Sequence, residues 1–117
     1  MFEGTGLADW LRAEGIDTIT LTGYMTNNCV LASAAAAEPL GFAVEVLSDA
    51  TGAIPISNHS GSASAAQVHE TLMAVLNSNW AAVTTTDAWI DAIESGTTLP
   101  RGNLVESAIA GRAAAGG

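Results

Sequence analysis

Apolar and polar positions change period several times along the chain, and each change marks a candidate element. Leu7, Trp10 and Leu11 share one face of a short helix over residues 6–14, with Gly15 as its C-terminal stop. Residues 16–22 (Ile-Asp-Thr-Ile-Thr-Leu-Thr) alternate with period two and are rich in β-branched side chains, so they predict a strand ending at Gly23. After Tyr24-Met25, Thr26 or Asn27 is placed to cap a helix running through Cys29, Val30, Leu31 and an alanine block to about Pro39–Gly41.

Residues 42–48 (Phe-Ala-Val-Glu-Val-Leu-Ser) are mostly apolar, as in a strand covered on both faces. Residues 49–62 are rich in Gly, Ser, Pro and Asn and read as a loop. Val68, Leu72, Val75 and Leu76 recur at helical spacing over 63–77. A third strand follows at 80–84, and then a helix over 87–94 with Thr86 as its cap and acidic residues in its first turn. Residues 1–94 thus form one structured unit, and 95–117 read as a flexible Gly/Ala-rich tail.

Strands alternating with helices imply parallel crossovers and an α/β sandwich. Only three strands are predicted, so at least one sheet edge would be apolar and unpaired, which invites a partner.

Charge narrows the partners. The 117 residues carry twelve acidic side chains against three arginines, a formal net charge of −9, and no lysine. Such a surface repels nucleic-acid phosphates and anionic membranes. The start of the chain has neither the basic nor the apolar region of a signal peptide, and the apolar run from Val30 to Ala37 is far too short to span a bilayer. A cytoplasmic globular protein is the expectation.

The single cysteine, Cys29, cannot form an intramolecular disulfide. It falls at the start of a helix that follows a parallel strand. Ligands of open α/β sheets bind there, and helix N–H groups there stabilise a thiolate and a developing oxyanion. On position alone, a small buried hydrophobe is the better reading, because most single cysteines are inert.

The wider string alters that balance. Thr22-Gly23-Tyr24-Met25-Thr26-Asn27-Asn28-Cys29-Val30 resembles the nucleophile motif of the isochorismatase-like cysteine hydrolases, which include nicotinamidases and N-carbamoylsarcosine amidases. Phe2-Glu3-Gly4-Thr5-Gly6-Leu7, Gly41-Phe42 with the following strand, Ser48-Asp49-Ala50, and residues 82–87 with Trp89-Ile90 resemble further family segments in the same order. The resemblance spans about residues 2–94.

The resemblance implies a three-layer α/β/α, Rossmann-like fold with a parallel sheet, of which this chain supplies the last three strands. It implies Cys29 as nucleophile, the main-chain N–H groups of Met25 and Cys29 as an oxyanion hole, and a cis peptide between Tyr24 and Met25. Asn27 and Asn28 would line the pocket for a small-molecule substrate, although capping is the simpler role for them. No cofactor or metal is implied. The family's Asp and Lys, the other two triad members, lie in segments preceding the matched region. None of Asp9, Asp17, Asp49, Asp87 or Asp91 has the required context.

The expectation is therefore a hydrolase of amides or related C–N bonds that is inactive alone. The chain reads as a truncated product or fragment, with a chain that self-associates or joins a separate N-terminal half as the alternative. A catalytically dead fragment or assembly module is the alternative, and a redox-sensing thiol a third reading. His59 reads as a solvated loop residue and His69 as packing or partly exposed. Asp49 contacts the Cys loop or caps its own. Trp80 and Trp89 pack in the core or at a subunit contact, and Tyr24 forms an aromatic wall or fills space.

Overall fold

The computed structural model describes residues 1–116. Helix α1 (Leu7–Ala13) leads into strand β1 (Thr18–Tyr24). A π-helical turn (Thr26–Val30) runs into α2 (Leu31–Ala37), followed by β2 (Ala43–Gly52), a hairpin of β3 (Ile56–Asn58) and β4 (Gly61–Ala63), and α3 (Ala65–Asn79). Strand β5 (Ala82–Thr84), α4 (Thr86–Ser95) and α5 (Leu104–Ala114) complete the chain.

The main sheet has the order β1-β2-β5 and is parallel throughout. Its pleat explains the alternation in the sequence. Ile19 and Leu21 pair with Val44 and Val46 on one face, where Val44 and Val46 are fully buried in a cluster with Leu76, Ala34 and Ala37. The small side chains of α2 let that helix approach the sheet closely. On the other face Thr20 Oγ1 donates to Glu45 Oε1 at 2.7 Å, and Trp89 Nε1 of α4 donates to the same oxygen at 3.2 Å. Helices thus cover both faces of the sheet. Trp80 packs half-buried against the cluster.

β1 is an edge strand, as the three-strand reading requires. An open groove of about 480 Å³ runs along it, lined by Leu7, Leu11, Ile16 and residues 18–22. Among the described residues, no helix is long and apolar enough to cross a membrane.

Several boundaries depart from the sequence reading. Trp10 is 57% exposed, so Leu11 and, in part, Leu7 and Ala8 bury the inner face of α1. β2 continues to Gly52, because beyond a register shift Thr51 and Gly52 pair with Gly23 and Tyr24. The rest of the expected 49–62 loop forms the β3–β4 hairpin, whose turn is held by Asn58 Oδ1 accepting from Ser60 N–H. α3 starts later than expected, after a reciprocal capping box between Ser64 and Gln67. Thr85, rather than Thr86, caps α4. The expected tail contains α5, with Asn103 as its cap.

Candidate active site at the Cys29 turn

Gly23, at a φ of 107°, ends the regular part of β1, and the next peptide, Tyr24–Met25, is cis. The chain then enters a π-helical turn rather than a regular helix start. Met25 O accepts from Asn28 N–H at 3.1 Å and Val30 N–H at 3.3 Å, and Thr26 O accepts from the Leu31 N–H. Cys29 therefore sits inside the wide turn, two residues before α2, at the carboxyl end of a parallel strand.

The thiol is exposed, which removes the reading of Cys29 as a buried core residue. It lines a cavity of about 600 Å³ with Met1, Asn27, Asn28, Leu31 and Ser33. The two asparagines are thus brought to the thiol. Neither acts as a cap, since the cap positions are Met25 for the turn and Val30 for α2, and neither start is closed by a side-chain capping bond. Asn27 Oδ1 is buried without a protein hydrogen-bond partner. Asn28 is exposed.

Tyr24 is 65% exposed, and its ring lies beside Gly52, where a Cβ would stand 3.5 Å from Tyr24 Cδ2. It flanks the end of β2 and is absent from the wall of the Cys29 cavity. Asp49 does not serve the Cys turn. Its Oδ1 accepts from the Thr86 backbone N–H at 2.9 Å and from the Thr86 hydroxyl at 2.7 Å, which hold its carboxyl below the usual carboxylate range. His59 is exposed at the hairpin turn. None of Asp9, Asp17, Asp49, Asp87 or Asp91 lines the Cys29 cavity. No group of three or more His, Cys, Asp or Glu side chains among the described residues is arranged to hold a metal ion.

Thr26 has a role the sequence did not disclose. It is completely buried, and its Oγ1 lies 3.2 Å from His69 Nδ1 on α3. These residues are 43 positions apart, so no local pattern links them.

The isochorismatase domain model matches residues 1–88, three quarters of the chain. The chain belongs to the isochorismatase family. An uncharacterized isochorismatase-family protein of Bacillus subtilis, YrdC, is 33% identical over 91 residues, covering 77% of this chain and 49% of that protein. An isochorismatase-family structure from Burkholderia xenovorans LB400 superposes with a TM-score of 0.93 at 48% identity, covering 99% of this chain and 56% of that one. A cysteine hydrolase from Pseudomonas syringae pv. phaseolicola 1448A superposes with a TM-score of 0.75 at 34% identity, over 80% of this chain and 45% of its own. The chain thus spans about half the length of these relatives.

Proposed function

We propose that this chain carries the nucleophile half of a cysteine hydrolase that cleaves amide or related C–N bonds of a small molecule. The observation that carries the reading is the exposed Cys29 thiol, held in a turn at the carboxyl end of β1 and opening on a cavity. The Cys29 thiolate attacks the substrate carbonyl, forming a C–S bond, while the Met25 and Cys29 N–H groups face the developing oxyanion. The C–N bond then breaks, the amine leaves with the proton first taken from the thiol, and water hydrolyses the thioester. Asn27 and Asn28 line the same cavity and supply its polar wall beside the thiol.

In this reading, the base that carries the proton and the family's lysine come from outside these residues, since the sequence contains no lysine. The partner is the complementary half of the fold, whose strand pairs along the open edge of β1. The test is reconstitution with a polypeptide spanning the first half of the Burkholderia relative. Ammonia release from a panel of small carboxamides is expected only from the mixture, and Cys29→Ala abolishes it. Release that persists with Cys29→Ala contradicts the assignment. Light scattering distinguishes a one-to-one pair from self-association.

A further inference from the structure

We infer that His69 is a positioning residue that clamps the nucleophile turn through Thr26. The inference rests on the reading of Cys29 as nucleophile, and it names a residue of α3 that this reading does not use. Thr26 is tied twice. Its carbonyl accepts the Leu31 N–H that closes the turn around Cys29, and its fully buried hydroxyl meets His69 Nδ1 at 3.2 Å.

A buried hydroxyl left without a partner is costly, so the turn and α3 favour the single arrangement that keeps this contact. The ring satisfies the hydroxyl in either tautomer, accepting through a bare Nδ1 or donating through Nδ1–H. α3 is itself anchored: the Ser64–Gln67 capping box fixes its start, and Leu76 is completely buried in the core. His69 therefore transmits the position of a rigid helix to the first residue of the turn, three residues before the thiol. A valine at 26 would match threonine in shape and lose the contact. An asparagine at 69 places a polar atom near the position of Nδ1.

The experiment compares the purified chain with Thr26→Val, Thr26→Ser, His69→Ala, His69→Asn and the double variant Thr26→Val/His69→Ala. The first readout is the rate of Cys29 alkylation by iodoacetamide, with thermal melts run alongside. Thr26→Val and His69→Ala are expected to lower the rate about fivefold, the scale of one lost hydrogen bond. Thr26→Ser and His69→Asn are expected to stay within about twofold, and the double variant to be no slower than either single one. The second readout is the imidazole nitrogen spectrum of the ¹⁵N-labelled chain. The His69 Nδ1 signal shifts with Thr26→Val and not with Thr26→Ser, while His59, exposed at the hairpin turn, stays unchanged.

Parental alkylation rates in all folded variants overturn the inference, as do additive losses in the double variant. If His69→Ala fails to fold, the Thr26 pair and His69→Asn still decide the matter. A His69 signal indifferent to Thr26→Val removes the contact itself. Neither readout depends on hydrolysis, so the clamp can fail while the proposed nucleophile stands, and the reverse.

Discussion

Asp49 and Thr86 join the end of the central strand to the start of α4, with one carboxylate oxygen accepting both the Thr86 N–H at 2.9 Å and its hydroxyl at 2.7 Å. The Thr86 hydroxyl and then the Thr86 N–H hold the Asp49 carboxyl below its ordinary 3.8. A depressed carboxyl adds stability that is present above the unfolded value and is lost as pH falls through the folded one. The gap in melting temperature between the parent and Asp49→Asn is therefore expected at neutral pH. It closes as the pH drops below the ordinary carboxylate range. A gap that widens in acid would contradict this.

The core predicts a contrast between two residues that look alike in the sequence. Leu76 is completely buried and Trp10 is 57% exposed, although both sit at helical spacing with apolar neighbours. Leu76→Ala is expected to cost about 3 kcal/mol in denaturant unfolding, in the range for a buried large-to-small change. Trp10→Ala is expected to cost about 0.5 kcal/mol, as for an ordinary surface site.

Beyond α4 the chain docks on α3 through a close approach. A Cβ on Gly102 would stand 2.8 Å from Asn77 Nδ2 and 2.9 Å from Asn77 O, and Asn77 Oδ1 also accepts the Val83 N–H of β5. The backbone carbonyl cannot swing aside as a flexible side chain can. Gly102→Ala is expected to destabilise the chain by about 2 kcal/mol, the usual scale of overpacking. Gly111→Ala, in α5 with open space around it, is expected to be neutral or stabilising in the same melts.

The parallel sheet was legible because its residues agree at two levels. Ile19, Leu21, Val44 and Val46 are both β-branched or apolar and correctly alternating, and they are the ones that pair across the core face. What escaped was decided elsewhere in the chain. The last residues of β2, Asp49-Ala50-Thr51-Gly52, have no strand pattern and become a strand through pairing with Gly23 and Tyr24. α5 leaves Leu104, Val105 and Ile109 exposed, so no burial period marked it, and only the Asn103 cap foreshadowed it. The position of Cys29 on a strand-to-helix connection could be read locally. The π-helical turn and the contact of Thr26 with a histidine on another helix could not.

The central proposal is that Cys29 is a nucleophile held ready by its turn and that the base completing turnover comes from outside these residues. The absence of lysine makes it directly measurable, because few side chains compete for an acyl group. The decisive measurement is intact mass and peptide mapping during reaction of the chain with a p-nitrophenyl acyl ester, folded and in denaturant. The account predicts one acyl group on Cys29, added faster to the folded chain, with a single burst of p-nitrophenol and no continued turnover. Equal rates in denaturant, acylation away from Cys29, or sustained turnover by the chain alone would contradict it.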